Sequence, residues 1–451
     1  MERESFASRL GFLLVSAGCA VGAGNVWRFP YITGKNGGAA FVLVYLLFLA
    51  ILGLPVMIAE FSIGRASRKN LAGGMRSLEP EGTKWHIYGY IGIFGNLLLM
   101  MFYTTIAGWF LGYLYHMIAG DFVGLTAVEI GNTFASFTTS TPEVLGWAFL
   151  VILLGFLVCA LGLRNGVERV TKFMMVALFL LMVLLIGRAV TLEGAAEGLK
   201  FYLQPDFSKL GWSGVYDAMG QAFFTLSLGI GSMTIFGSYV NRDRTLMGES
   251  INIMALDTLV AFMAGLIIFP TCASFGVNVA EGPGLIFVAL PNIFNSMPLG
   301  QFWGSLFFLL MVFAAMSTVV AVFENLVAFS MDEFGFTRKK SSITGFFIVL
   351  FASLPCILGF GPLSFIQPFG AGSTILDLED FILSNNLLPI GSLIIVLFCA
   401  LRSGWGWSGF IKEANTGRGL KFPERAESYM RYVLPLIIVV IFALGYITKF
   451  G

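Results

Sequence analysis

The sequence predicts an all-α integral membrane protein, a bundle of eleven transmembrane helices arranged as five-plus-five inverted repeats with spans 1 and 6 unwound. Three observations carry this reading. Hydrophobic residues make up 57% of the 451 residues and charged residues 12%, against about 45–50% and about 25% in soluble domains. So few charges cannot cover a soluble protein of this size, so lipid must solvate much of the surface. Eleven apolar stretches each approach the ~20 residues that a helix needs to cross ~30 Å of hydrocarbon. Two of them, at corresponding places in the two halves, carry a Gly-x-Gly near their centre. The formal charge of +1 gives no field to attract a nucleic acid or other polyanion.

The stretches lie near 10–33, 39–62, 88–118, 144–162, 168–190, 215–238, 249–275, 301–330, 341–359, 378–401 and 430–448. The first is too long for a signal peptide and holds Gly and Asn at its centre and Arg28 near its end. With no clear small-residue cleavage site, it is read as a retained helix. Residues 1–190 then form the first repeat, 191–401 the second, and 402–451 a cytoplasmic loop with the last span. No large soluble domain interrupts the plan, and Glu281–Pro291 is apolar enough to dip back over the bundle as a lid. If the N-terminus and every second loop are cytoplasmic, that side holds 21 of the 27 Lys and Arg residues. The N-terminus is therefore expected inside and the C-terminus outside.

The cysteines Cys19, Cys159, Cys272, Cys356 and Cys399 all lie in apolar runs without a CxxC pair, which suits packing rather than disulfides or zinc. His86 and His116 lie in different segments and make a poor metal centre.

Span 1 contains Gly18-Cys19-Ala20-Val21-Gly22-Ala23-Gly24-Asn25, and span 6 contains Thr225-Leu226-Ser227-Leu228-Gly229-Ile230-Gly231-Ser232. One isolated Gly-x-Gly would merely seat a neighbouring helix. The match between halves, with Asn25 and Thr225 beside the breaks, favours a midplane site between inverted repeats. Breaking a helix there frees amides and carbonyls that lipid cannot satisfy, so something polar must fill the gap. N–H groups and helix N-termini suit a carboxylate, and freed carbonyls suit a hard cation such as Na⁺. A zwitterionic amino acid taken with sodium fits this chemistry better than a sugar or a fatty acid.

Asp257 lies deep in span 7, where an ionisable group is costly and function is the default reading; the alternative is a structural carboxylate held by hydroxyls. Ser317 and Thr318 are adjacent hydroxyls in span 8, which alone would more often bond back to their own helix. Tyr103 sits too deep for an interfacial belt. At the two mouths, Arg28 with Asp380 and Arg3 with Asp332 are read as gates, against the plainer alternative of snorkelling or solvated charge.

At these residues the chain resembles the neurotransmitter:sodium symporter family. The stretch RLGFLLVSAGCAVGAGNVWRFPYITGKNGGAAFVLVYLLFLAILGLPVMIAEFSIGR, Arg9 to Arg65, is similar to the family's opening. GQAFFTLSLGIGSMTIFGSYV, Gly220 to Val240, is similar to its sixth span, and EGPGLIFVALP to its fourth outer loop. The resemblance covers essentially the whole chain. It implies sodium-coupled uptake of small amino acids or amines by a multi-pass protein of the cell's inner (plasma) membrane, with eleven spans as in many bacterial members.

Carried over by position, the first sodium site is implied at the Ala20 carbonyl, Asn25, Thr225, Asp257 and the substrate carboxylate. The second is implied at the carbonyls of Gly18, Val21 and Ala314 with Ser317 and Thr318. Substrate is expected to meet Cys19, Ala20, Ala23, Gly24, Leu99, Tyr103, Phe224, Thr225, Ser227, Ile230, Val319 and Val322. The Tyr103 hydroxyl and the amides near Gly24 take its carboxylate, and Phe224 closes over it. The resemblance makes Arg28 with Asp380 the outer gate, and Arg3 with Asp332, aided by Tyr239 and Glu324, the inner.

The departures narrow the reading. Monoamine transporters have an acidic residue where this chain has Gly22, which favours a substrate bringing its own carboxylate. Asp257 stands where relatives usually carry Asn, and Ala261 one turn on is not acidic. Chloride-dependent relatives bind an anion near Tyr45, Gln221 and Thr225, so a fixed carboxylate at 257 predicts chloride independence and opens a route to proton counter-transport. Span 5 has Gly166 but Val176 where many members carry Pro, which predicts a helix slower to unwind. Ala23, Leu99, Phe224, Ile230 and Val322 predict an apolar pocket for leucine-like or aromatic side chains. The nearest rival is a proton-coupled amino-acid antiporter of the same architecture. An ion channel would need a continuous polar stripe that no span shows, and an enzyme would need a base beside Cys19 or Ser227.

Overall fold

The computed structural model describes residues 4–279 and 284–450. Among them nine helices are long and apolar enough to cross a membrane: Ala39–Ser67, His86–Ala119, Thr141–Ala160, Leu163–Val190, Leu246–Ser274, Gly300–Phe334, Arg338–Leu358, Ile375–Ala400 and Glu424–Ile447. Arg9–Ala20 and Gly24–Lys35 make a tenth if taken as one span, and they meet at 58°. The stretch expected at 215–238 is divided into Trp212–Phe224 and Ser232–Ser238, of 13 and 7 residues. Neither piece reaches across a bilayer alone. Arg3 and residues 280–283 of the expected lid lie outside the described residues; the rest of that segment forms the short apolar helix Leu285–Ser296.

Local chemistry sets the two breaks. Ser8 caps the first helix by accepting from the Gly11 amide at 3.0 Å, satisfying one of its orphan donors. The helix stops when Val21 turns extended (φ −68°, ψ 112°) before the Gly-Ala-Gly run. In the second break Gly229 and Gly231 adopt φ +97° and +81°, a region open to glycine, while Ser227 holds φ +50° at a steric cost.

Composition decides the radial order. The apolar stretches of Gly300–Phe334 and His86–Ala119 are 83% and 78% buried, whereas those of Leu163–Val190, Arg338–Leu358 and Glu424–Ile447 are each 33% buried. The first two therefore form the centre. The other three lie at the rim, where Phe173 and Leu180, each 67% exposed, occupy positions that a water-soluble protein would give to polar groups.

The second break is seated by direct backbone contact. A Cβ on Gly64 would fall 1.8 Å from the Thr234 carbonyl oxygen, and one on Gly237 would fall 2.6 Å from that of Phe61. Helix Ala39–Ser67 thus packs main chain to main chain on Ser232–Ser238. Beside it, the buried Arg65 guanidinium donates to Glu413 at 2.7 Å and to the Arg244 carbonyl at 2.6 Å. Arg242 donates to Glu413 at 2.9 Å. These bonds fasten the 401–423 loop to the chain leaving the break. Gly64→Ala is expected to lower stability by about 1–3 kcal/mol, whereas Gly146→Ala, with open space around its Cβ, should leave it unchanged or slightly raised. Thermal unfolding of the two full-length variants in detergent checks this.

Candidate functional site

The freed groups of the second break are held by three side chains from neighbouring helices. Glu60, fully buried in Ala39–Ser67, accepts from the amides of Gly229 at 2.6 Å and Met233 at 3.1 Å. Tyr88 donates its hydroxyl to the Gly229 carbonyl at 2.7 Å, and the Asn96 amide donates to the Ile230 carbonyl at 2.8 Å. The sequence reading missed all three, although a carboxylate in the middle of an apolar stretch, as at Glu60, was itself a signal.

Two clusters of oxygen form between the broken helices and their neighbours. In the first, Asn25 donates to the Asp257 carboxylate at 2.8 Å and Thr225 donates to its other oxygen at 2.9 Å. The Asn25 carbonyl oxygen accepts from the Gly22 amide at 3.0 Å, and all three side chains are buried. Ala20 ends its helix beside them. In the second, Thr318 donates to the Val21 carbonyl at 2.9 Å and lies 3.3 Å from that of Gly18. Ser317 donates to the Ala314 carbonyl at 2.9 Å and lies 3.4 Å from that of Val21. The five positions Gly18, Val21, Ala314, Ser317 and Thr318 are thus brought together. Apart from the Asn25 amide nitrogen, which here donates to Asp257, both sets consist of hard oxygens without sulfur, which fits an alkali or alkaline-earth cation and suits a soft metal poorly.

Between the clusters lies a cavity of about 40 Å³. Of the expected substrate residues, Cys19, Ala20, Gly24, Leu99, Tyr103, Phe224, Thr225, Ser227 and Ile230 line it, joined by Gly22, Asn25, Thr318, Leu383 and Leu388. Ala23 contributes its amide to the Tyr103 hydroxyl at 3.1 Å but does not line the space. Val319 and Val322 do not line it either: Val319 packs toward Gly155, and Val322 is buried. On this measure a water molecule needs about 10–15 Å³, so a leucine-sized side chain does not fit this conformation. The Phe224 ring takes the room, pressed against Gly24 with the Arg28 guanidinium 4.0 Å from its centroid.

The two mouths differ. Arg28 and Asp380 form no ion pair among the described residues; Asp380 accepts instead from Ser384 at 2.7 Å. On the cation-rich face, Tyr239 donates to Glu324 at 2.7 Å and Arg338 donates to it at 2.7 and 3.0 Å. Arg338 also reaches Glu4 at 3.2 Å, and Asp332 accepts from the Asn70 amide at 2.8 Å. Arg338 belongs to the Arg338-Lys339-Lys340 run, which marks topology in the sequence and hides its role in this closure. Tyr45 is buried with its hydroxyl facing those of Thr225 and Thr258, and Gln221 is buried one turn before Thr225. The helix Leu163–Val190 opens with a wide π turn at Leu163–Glu168 around Gly166 and runs regularly through Val176.

The family model described as the sodium:neurotransmitter symporter family matches residues 3–123 and 136–450. The chain belongs to that family. It is a sodium-dependent membrane transporter and not an enzyme. The symporter is 36% identical over 439 residues to the sodium-dependent transporter YhdH of Bacillus subtilis, covering 97% of this chain and 96% of that one. It is 32% identical over 465 residues to a sodium-dependent transporter of Haemophilus influenzae, with 98% of each covered. Among solved structures it is similar to MhsT crystallised with L-phenylalanine: TM-score 0.88, 39% identity, 98% of this chain and 100% of that one.

The Glu324 cluster predicts how the cation-rich mouth behaves. Glu324→Gln removes the charge facing Arg338, and breaking such a buried pair costs about 3–5 kcal/mol. Residues 4–12 and 232–240 should then exchange amide hydrogens faster, as read by mass spectrometry. Unchanged exchange would show that this pair does not hold the mouth.

Proposed function

We propose that the chain is a symporter that takes up a neutral hydrophobic L-amino acid, leucine-like or aromatic, with two sodium ions by alternating access. The observation that carries this reading is the convergence on one small cavity of two oxygen-rich clusters, one at Asn25, Thr225 and Asp257 and one at the Gly18 and Val21 carbonyls with Thr318. Its wall is apolar at Leu99, Phe224, Ile230, Leu383 and Leu388, which would strand an acidic or basic substrate side chain. The Tyr103 hydroxyl and the amides near Gly24 meet the substrate carboxylate, which also completes the first sodium shell with Ala20, Asn25, Thr225 and Asp257. Sodium and carboxylate neutralise each other in a dry site, which gives their coupling a physical cause. The crystallisation of MhsT with L-phenylalanine supports the substrate class.

On this reading the halves 1–190 and 191–401 are inverted repeats of five spans. The broken stretch at 212–238 supplies the eleventh span, and the cation-rich face is cytoplasmic. Arg28 closes on Asp380 once Phe224 has swung over substrate, and the Tyr239–Glu324–Arg338 cluster, with Arg3 and Asp332, opens afterwards. Asp257 supplies fixed negative charge close to Tyr45, Gln221 and Thr225, so transport is independent of chloride.

Proteoliposomes containing the full-length chain should accumulate radiolabelled leucine or phenylalanine under an imposed sodium gradient, equally with chloride or gluconate outside. Uptake that persists without sodium under a proton gradient would instead establish the antiporter, and substrate-free currents would establish a channel. Sodium at one hundred times its dissociation constant should stabilise the protein by about 2.7 kcal/mol relative to choline. Asp257→Asn should weaken that stabilisation or make uptake depend on chloride. A variant that behaves like the wild type in both would overturn the charge-balance role.

A further inference from the structure

Three carboxyl groups near the start of helix Ile375–Ala400 face different surroundings. Asp377 caps its own helix, accepting from the Thr374 amide at 2.7 Å and hydroxyl at 2.8 Å. Asp380 accepts from Ser384 at 2.7 Å. Glu379 turns into the protein: it is 4% exposed, and its Oε2 has no oxygen or nitrogen partner among the described residues.

The groups around it come from two other helices. The Cys356 thiol of Arg338–Leu358 lies beside the carboxyl. The same thiol faces the Thr105 hydroxyl of His86–Ala119, which is buried and has no oxygen or nitrogen partner among the described residues. One turn along that helix, the indole N–H of Trp109 is buried without a partner too. Among the described residues no cation pairs with Glu379, and the other charged groups near it, Asp377 and Asp380, are acidic and on its own helix. An ionised carboxylate set here, with a weak thiol as its neighbour and no countercharge, is costly, and a carboxylic acid costs far less. One carboxyl, a hydroxyl and a soft thiol offer too few hard oxygens for sodium. A proton is the ligand that suits the group.

The position of Glu379 links that proton to the transport cavity. Leu383 and Leu388 of the same helix stand in the cavity wall, and Asp380 is the next residue along. The wide π turn Phe381–Leu387 lies between the Glu379 end and the regular helix beyond, so the first turns have a place at which to shift. We propose that Glu379 is a proton-binding site of this symporter, separate from Asp257, that exchanges its proton with water as the start of this helix moves. With the proton bound, Glu379 stays seated against Cys356 and Thr105. Without it, the carboxylate favours water and draws the helix start, and Asp380 with it, away from the bundle.

The coupling rests on the transport reading, but proton binding is tested apart from transport. Purified full-length protein in lipid nanodiscs, made with ¹³C-glutamate, is titrated while its infrared difference spectrum is recorded. A protonated-glutamate C=O band should grow as the pH falls and persist in Asp257→Asn, and the wild-type minus Glu379→Gln difference should leave a separate component in an apolar setting, with Glu60 and the surface glutamates cancelling. Phenylalanine affinity should change by up to about tenfold per pH unit across that titration and become flat in Glu379→Gln. A Glu379→Gln protein whose titrating band is the same as the wild type's overturns the proposal, and so does one that keeps the wild-type slope of affinity against pH. Loss of sodium-driven uptake in the wild type would instead strike the transport reading.

Discussion

A peptide group set loose in the middle of a membrane has no water to bind, and the rest of this structure follows from how its loose groups are satisfied. In the break at 225–231 the answer is permanent: Glu60, Tyr88 and Asn96 reach in from Ala39–Ser67 and His86–Ala119 and take the freed amides and carbonyls. In the break at 21–24 the answer is a hydroxyl. Thr318 covers the Val21 carbonyl with a single hydroxyl donor, with Ser317 beside it bonded back to Ala314, and a hydroxyl can rotate to present its oxygen to a cation instead. One break is thus pinned while the other keeps oxygen available.

That difference suits a moving machine. The pinned break rests on a helix packed backbone to backbone through Gly64 and Gly237, and the Arg65–Glu413–Arg242 cluster fastens the chain that leaves it. The mouths are also unequal. Charge is paired on the cation-rich face around Glu324, while Arg28 on the other side lies over the Phe224 ring and not against Asp380. Paired and unpaired charges are discrete states with little between them, so on the proposed reading the two mouths can switch rather than drift.

The sequence was most legible where chemistry is local. Helix ends, the two Gly-x-Gly breaks and the isolated Asp257 each announce themselves through composition or cost. It was less legible where a residue has two plausible roles. Arg338 sits in a basic run and reads as a topology signal, although its guanidinium meets Glu324 and Glu4. Leu383 and Leu388 read as span filler, although the wide turn at Phe381–Leu387 brings them to the cavity wall. Val319 lies outside the lining because it points about 100° away from Thr318, whereas Val322 shares the face of Thr318 but stands a turn further along.

By itself the sequence determined that lipid must solvate the chain, which stretches are apolar enough to cross it and where two of them must break. Those properties follow from hydrophobicity and backbone chemistry within one segment. Which side chains answer the breaks was decided only by tertiary structure, since Glu60 meets Gly229 across 169 residues and Asn25 meets Asp257 across 232. The room in the cavity was decided there as well. Composition counts side chains, but the orientation of one ring, Phe224 over Gly24, sets how much space they leave.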